Sequence, residues 1–233
     1  MLTDGKRVVF KLTETREATF VHEFLSDYKG VLISDFYPGY DSVPCRQQKC
    51  WVHLIRDLNN DLLKAPFDTE LENLVLEIKN LIVPIMECIQ KYGLRQKNLQ
   101  KFKKDVEKFY NNNITGRHFK SELVLTYQKR FVRYRERLFT FLEHNELPWH
   151  NNMAERAIRH IAKQREISRV FGESVTQDYL VLLGLRQTCR FKTNRFSSSC
   201  FLERQTLIIL RHADANGERI ALYIIASDVG GLF

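Results

Sequence analysis

GVLISDFYPGYD (residues 30–41) carries the strongest fold signal in this 233-residue chain. It opens with Val31-Leu32-Ile33, a continuous apolar run that is typical of a strand buried on both faces. Residues from about 14 to 28 predict a preceding helix, because apolar side chains recur there at helical spacing. Pro38 and Gly39 predict a following loop with one helical turn. A helix leading into a buried strand indicates a mixed α/β sheet.

The rest of the chain is predicted to be largely helical. Strand signals are confined to residues 6–12 (KRVVFKL) and to a short segment at 49–53. Apolar residues at three- and four-residue steps predict one helix that ends near residue 63 and another that starts near residue 69. The same steps predict four further helices, over 97–110, 119–141, 153–163 and 176–190. Asn111 to Asn113 and Thr115-Gly116 mark the clearest break within this helical block.

The overall composition excludes several classes of protein. An apolar fraction of 44% argues against wholesale disorder. The longest apolar stretches, such as Ala221 to Ala226, fall far short of the roughly 20 residues that span a bilayer. The N-terminal MLTDGKR lacks the pattern of a signal peptide. Five scattered cysteines argue against a disulfide framework and favour a reducing, cytoplasmic compartment.

Positive charge is concentrated in two blocks. The chain has 36 Lys and Arg against 28 Asp and Glu, a net charge of +8. Residues 91–137 hold 14 basic and four acidic side chains, and residues 155–195 hold nine and four. Basic residues interleaved with aromatic ones suit a surface that follows phosphates. The alternative is an amphipathic helical bundle whose aromatic residues form the core and whose charges are solvated.

Two acidic residues are candidates for a chemical role, and each also has a purely structural explanation. Asp35 ends the apolar strand, where a carboxylate on a rigid edge could hold a divalent cation. It could equally begin a turn. Glu155 lies in the first turn of a predicted helix, where it could simply complement the helix dipole and pair with Arg159. Spacing alone does not indicate that the two residues meet.

A cysteine and histidine cluster is the other candidate metal site. Cys45, Cys50 and His53 form a C-x4-C-x2-H pattern. It lacks a second ligand pair downstream, with His118 and His144 as stray candidates. A packed strand-to-helix junction is therefore favoured over zinc. The sequence contains no P-loop, G-x-S-x-G or H-E-x-x-H motif, which excludes those mechanisms.

Three stretches together resemble one family. They are GVLISDFYPGYD (30–41), QQKCWVHLIRDLNNDL (47–62) and WHNNMAERAIR (149–159), separated in part by the helical block. In this order they resemble bacterial DDE transposases of the insertion-sequence 66 family. The segment 176–190 is similar to the helix that follows the family's glutamate. The resemblance covers about residues 7–192.

The resemblance implies a fold, an activity and a set of site residues. The family has an RNase H-like (retroviral integrase-like) sheet, on which three acids bind two Mg²⁺ ions to cut and rejoin DNA. Asp35 matches the second acid and Glu155 the third. Cys50 and His53 match a C-x2-H signature of such transposases. The resemblance also suggests that three basic residues contact DNA phosphates, namely Arg156, Arg159 and Lys163.

The resemblance also predicts how the chain is organised. Residues 1–53 and 149–192 form the two parts of the RNase H-like core, residues 54–148 form a helical insertion, and residues 193–233 form a divergent tail. The family's first acid lies on a strand upstream of the segment that matches 7–12. We therefore expect the first strand and the first acid to be missing, unpaired edges in the sheet, and an incomplete metal site. Such a protein would be inactive alone.

The expected partner is DNA at transposon ends, with a second copy or an intact transposase as a protein partner and no membrane. Two alternatives to a catalytic ancestry stay open. One is a basic, non-catalytic DNA-binding remnant, which predicts salt-sensitive DNA binding that does not need Asp35 or Glu155. The other is a helical interaction module with no role in nucleic-acid binding.

Overall fold

The computed structural model describes residues 2–4, 8–10, 19–167, 173–191 and 221–224. The chain divides into two compact units. Residues 1–46 and 151–233 form the first, called here the sheet unit. Residues 47–150 form the second, called the helical unit. No helix in the described part is both long enough and apolar enough to cross a membrane.

The described strands form one mixed sheet of five. They are β1 (Leu2–Thr3), β2 (Val8–Val9), β3 (Val31–Ser34), β4 (Arg46–Lys49) and β5 (Ala221–Ile224), in the order β2-β1-β5-β3-β4. Strand β1 is antiparallel to both β2 and β5. Strand β5 is parallel to β3, with Val31 opposite Ala221 and Ser34 opposite Ile224.

The sheet unit has its own apolar core. Leu32 of β3 is fully buried, as the continuous apolar run predicted. Helix α1 (Thr19–Phe24) contributes Val21 to the same cluster. The loop after β3 contains a 3-10 turn (Pro38–Tyr40), as predicted, and places Tyr40 against this core. The helix before β3 and the loop after it therefore both pack on the same core as β3.

Two helices of the sheet unit pack on the strands. Helix α8 (Asn152–Ile167) contacts β1 and β5, and helix α9 (Glu173–Phe191) contacts β2. The Thr188 side-chain oxygen accepts a hydrogen bond from the Val8 N–H at 2.9 Å. Gly184 lets the two backbones approach, because a Cβ there would lie 3.0 Å from the Val8 carbonyl oxygen. Helix α9 thus covers a strand edge that could otherwise pair with another chain.

The helical unit is built from six described α-helices. They are α2 (Trp51–Lys64), α3 (Thr69–Tyr92), α4 (Gln96–Leu99), α5 (Lys103–Phe109), α6 (Glu122–Arg133) and α7 (Arg135–Leu138). Its core is aromatic: the Phe131 ring lies 6.2 Å from Trp51, 5.8 Å from Phe109 and 6.3 Å from Tyr110. Edge-to-face rings at such distances add to the free energy gained from burial.

Several sequence predictions are corrected by the structure. The strand predicted at 49–53 is wrong: the strand is β4, and α2 starts at Trp51 because Trp51, Leu54 and Leu58 share one buried helical face. The break predicted at Asn111 to Asn113 and Thr115-Gly116 starts later than expected: Tyr110–Thr115 is a π-helix that continues α5, and the helical run ends there, before Gly116. The helix predicted over 119–141 is two helices, α6 and α7, followed by a 3-10 turn (Thr140–Leu142).

The remaining differences concern the ends of the chain. Of the strand predicted at 6–12, the structure describes Val8–Val9 as strand, and residues 6, 7, 11 and 12 lie outside the described residues. The helix predicted from 14 to 28 is described as α1, which ends earlier, at Phe24, and its predicted start lies outside the described residues. We expected a sheet with unpaired edges at its centre. Instead β5, from the tail, lies between β1 and β3.

Candidate functional site

Asp35 lies directly after β3, at the carboxyl end of a buried strand. Its Oδ1 accepts a hydrogen bond from the Tyr37 N–H at 3.0 Å, so Asp35 does begin a turn. Its Oδ2 accepts no hydrogen bond from the described residues, and the side chain is partly exposed. The turn therefore orients the carboxylate and leaves one of its oxygens available to a ligand.

The sheet register defines what stands beside Asp35. Ser34 is opposite Ile224 of β5, and Ile224 is opposite Leu2 of β1. Because β3 and β5 are parallel, their carboxyl ends meet at the same edge of the sheet. Leu2, Ile224 and Ser34 thus form the last described row across β1, β5 and β3, and Asp35 directly follows this row.

Glu155 lies in the first turn of α8. Its N–H donates to the Asn151 carbonyl oxygen at 3.1 Å, which closes the first turn of the helix. The side chain is partly buried, and its Oε1 atom is buried. A carboxylate at this end of a helix is favoured by the helix dipole. Since α8 packs on β1 and β5, Glu155 belongs to a helix that covers β5, the strand next to β3.

The two acids therefore share the sheet unit, although the sequence places them 120 residues apart. Asp35 follows β3 and Glu155 is carried by the helix on β5, which is hydrogen-bonded to β3. Within the described ranges, no three side chains of His, Cys, Asp or Glu form a group that could hold a metal ion. The structure thus presents two candidate carboxylates, without a described third ligand.

The predicted phosphate-contacting residues follow Glu155 on α8. Arg156 and Arg159 are exposed. Lys163 lies on the same helix, and its side chain is outside the described residues. Two guanidinium groups within one turn of Glu155 are thus accessible to an anion. Guanidinium groups suit phosphate oxygens because they donate two parallel hydrogen bonds.

The cysteine and histidine cluster is divided between the two units. Cys45 lies in the sheet unit, and Cys50 and His53 lie at the start of α2 in the helical unit. Cys50 is fully buried at the N-terminal end of that helix, and the Nδ1 atom of His53 is buried. None of the four described cysteines forms a disulfide. Cys50 is thus a buried residue between the end of β4 and the start of α2. His118 and His144 belong to no described three-ligand group.

The helical unit carries two tyrosines with strongly perturbed pKa values. Burial raises the pKa of Tyr110, whose hydroxyl donates to the Phe131 carbonyl oxygen at 3.1 Å. Burial, followed by the hydrogen bond to Asp61 at 2.7 Å, raises the pKa of Tyr127. Both rings belong to the packed interior, so these shifts are features of the core rather than of a catalytic site.

The basic block of the helical unit has a regular pattern that was not predicted. Exposed lysines recur there at helical spacing along α4 and α5. The signal was present in the sequence as a run of steps of four, three and four residues. It could have been found by applying to charged residues the periodicity test that was applied to apolar ones.

Comparison with known proteins adds one match. The chain matches the family model described as "Transposase IS66 family" over residues 2–177. No curated protein and no solved structure matches the chain significantly. The matched range includes β1 to β4, Asp35, the whole helical unit and Glu155, and it ends before β5.

Proposed function

The chain belongs to the IS66 family of transposases, and from this membership we propose that it is a transposase-derived protein with a metal site at Asp35 and Glu155. The proposed fold is an RNase H-like sheet with a helical insertion. The observation that carries the proposal is the position of Asp35, at the end of a buried strand that is flanked by the strand under α8.

The donor set fits a hard divalent cation. Mg²⁺ prefers carboxylate oxygens and often needs only one or two of them, because water and substrate phosphates complete its coordination. The turn at Tyr37 orients Asp35 and leaves its Oδ2 available. A bound ion of this kind would activate the attacking oxygen and stabilise the leaving oxygen of a phosphodiester. The exposed Arg156 and Arg159 would hold the phosphate near these carboxylates.

We propose that the activity of the present chain is limited by the number of carboxylate ligands at its metal site. The family resemblance implies three acids, and the sequence offers matches for two. A site with two carboxylates holds the ion more weakly and positions it less well. We therefore propose ancestral DNA cleavage and strand transfer, retained DNA contact, and no strand transfer by the chain alone. DNA at transposon ends is the proposed substrate, in the cytoplasm, with a second copy or an intact transposase as the protein partner.

Metal binding tests this proposal directly. Asp35→Asn and Glu155→Gln each remove one charge with little change in shape, and Asn at 35 can still accept from the Tyr37 N–H. We expect each change to weaken Mn²⁺ affinity at least about tenfold, because carboxylates are the preferred ligands. Titration calorimetry or electron paramagnetic resonance measures the affinity, and circular dichroism checks the fold.

Asp27→Asn and Glu23→Gln are matched controls. Both side chains are exposed and lie in the same sheet unit. Removing either of these charges should leave the Mn²⁺ affinity unchanged. If the site variants bind Mn²⁺ as tightly as the wild type, the metal site is not at Asp35 and Glu155. Salt-sensitive DNA binding that persists in both site variants without any Mn²⁺ binding would identify the non-catalytic alternative.

A further inference from the structure

Four lysines form a row along one helical segment of the helical unit. They are Lys97, Lys101, Lys104 and Lys108, and all are exposed. The segment runs without a gap from α4 through a 3-10 turn (Gln100–Phe102) into α5. Steps of four, three and four residues place side chains on one face of a helix. The opposite face is buried in the core, through Leu99, Phe102, Val106 and Phe109.

Two nearby acids pair with cations outside this row. Glu107 pairs with Arg135 at 2.5 Å, and Glu143 pairs with Lys103 at 2.7 Å. None of the four row lysines makes an ion pair with a described residue. Lys101 lies over the Phe102 ring, with its Nζ atom 4.9 Å from the ring centroid. The row is therefore a strip of accessible positive charge on a rigid, well-packed support.

The row ends at an open cleft. Lys108 and Arg117 both line this cleft, whose volume is about 460 Å³. Phe102 and Phe109 contribute apolar surface, and two acids, Glu77 and Asp105, also line it. The second cation, Arg117, is exposed and extends the basic strip beyond α5. The positive charge thus continues past the row, with partial compensation inside the cleft.

We propose that this lysine row is a second DNA-contacting surface, which holds the phosphate backbone of a duplex without reading its sequence. The proposal rests on the proposed function only in taking DNA as the polyanion. The row is about 16 Å long, because eleven residues rise about 1.5 Å each. Four lysines over that length can contact up to about four phosphates of a duplex, which carries one charge per about 1.7 Å of its axis when both strands are counted. Lysines bind phosphates as point charges and position a protein on DNA without specifying bases.

An anionic membrane surface fits this segment less well than DNA does. A helix that lies in a membrane interface needs an exposed apolar face to insert below the headgroups. The apolar face of this segment is already buried in the core of the helical unit. Only the charged face of the segment is exposed, and a rigid polyanion such as DNA can bind it without inserting any apolar side chain.

The test removes the row and compares it with an equal loss of charge elsewhere. The row variant carries K97Q, K101Q, K104Q and K108Q. The control variant carries K29Q, K64Q, K79Q and K129Q, four exposed lysines outside the row. Binding of a duplex of arbitrary sequence is measured by fluorescence anisotropy in EDTA, with KCl between about 50 and 200 mM. EDTA keeps the metal site out of the measurement.

The salt dependence is the decisive quantity. Each phosphate contact contributes about 0.9 to the slope of log K against log salt, so the row variant should lose about 3 to 4 units of slope. Over this salt range the wild type should lose about 100-fold more affinity than the row variant. The control variant should keep a slope within about one unit of the wild type. Circular dichroism must show that both variants are folded.

Several outcomes would overturn the proposal. One is a row variant that keeps the wild-type slope, and another is a control variant that loses as much slope as the row variant. A row variant that loses binding to vesicles of anionic lipid but not to DNA would assign the strip to a membrane surface instead. The row variant should retain wild-type Mn²⁺ affinity. Failure of Mn²⁺ binding at Asp35 and Glu155 is therefore distinguishable from failure of the row.

Discussion

At the scale of single residues, the turn that begins at Asp35 is compatible with the cation-binding role proposed for its carboxylate. A residue that begins a turn and a residue that binds a cation are usually treated as alternatives. Here Oδ1 accepts the Tyr37 N–H, and Oδ2 accepts nothing from the described residues. A turn that uses only one oxygen restricts the rotation of the carboxylate. That restriction lowers the entropic cost of holding a ligand on the other oxygen.

The buried tyrosines predict a loss of stability at high pH. The raised pKa of Tyr127 means that its neutral form is favoured in the folded state. In the unfolded state tyrosine ionises near pH 10, so the free energy of unfolding should fall as pH rises above about 10. Tyr127→Phe should make this fall shallower. It should also cost about 1 kcal/mol at neutral pH, because the hydrogen bond to Asp61 is lost.

Urea unfolding at a series of pH values from about 7 to about 11 measures both effects. Tyr92→Phe is the control, because Tyr92 is half exposed and its ring lies beside Lys91 on the surface. This change should leave both the neutral stability and its pH dependence unaltered. If Tyr127→Phe falls as steeply above pH 10 as the wild type, the hydroxyl of Tyr127 does not contribute to the loss at high pH.

At the scale of elements, β4 is a strand whose composition does not predict a buried strand. Its sequence RQQK is polar, yet Gln47, Gln48 and Lys49 are buried. The Gln48 side chain donates to the Leu138 carbonyl oxygen and accepts from the Phe141 N–H, both at 2.9 Å. A buried amide that satisfies two distant backbone groups holds the end of α7 against the strand.

Gln48→Leu should therefore be destabilising, although it replaces a buried polar side chain with an apolar one. The change leaves the Phe141 N–H buried without this partner, which costs about 1–3 kcal/mol. Denaturant unfolding measures the loss. Gln90→Leu, on the exposed face of α3, should change the stability by less than about 0.5 kcal/mol. An unchanged stability for Gln48→Leu would show that the backbone group finds another partner.

At the scale of the whole molecule, the chain combines two compact units that are built from different parts of the sequence. The helical unit is continuous in sequence, whereas the sheet unit is assembled from both ends of the chain. Strand β5 joins those ends, because it pairs with β1 on one side and with β3 on the other. The sheet unit therefore depends on a four-residue segment that lies outside the range of the family match.

Tyr223→Pro tests this dependence. Tyr223 is opposite Thr3 of β1 and Ile33 of β3. Proline in a central strand removes a ladder hydrogen bond and is found essentially only on edge strands or at bulges, so we expect this change to destabilise the sheet. Amide hydrogen exchange should show faster exchange in β3 and unchanged protection in α3. Tyr223→Ala keeps the N–H and is the control. Equal loss of protection in α3 would mean that the units do not open independently.

Local pattern was sufficient for the features that depend on near neighbours in the chain. The apolar run at 31–33 identified β3 and hence the position of Asp35, and three- and four-residue steps identified most helices. The motifs around Asp35 and Glu155 were enough to indicate the family. These predictions succeeded because burial of one face of a helix or strand leaves its period in the sequence.

Features that depend on distant partners were decided only in the tertiary structure. Whether Gln48 is buried depends on backbone groups 90 and 93 residues away, and the pairing of β5 with β3 joins opposite ends of the chain. The sequence of a short strand specifies its faces but not its neighbours. For the same reason the spacing of Asp35 and Glu155 could not indicate a shared unit. Only the packing of α8 on β5, the strand beside β3, brought their elements together.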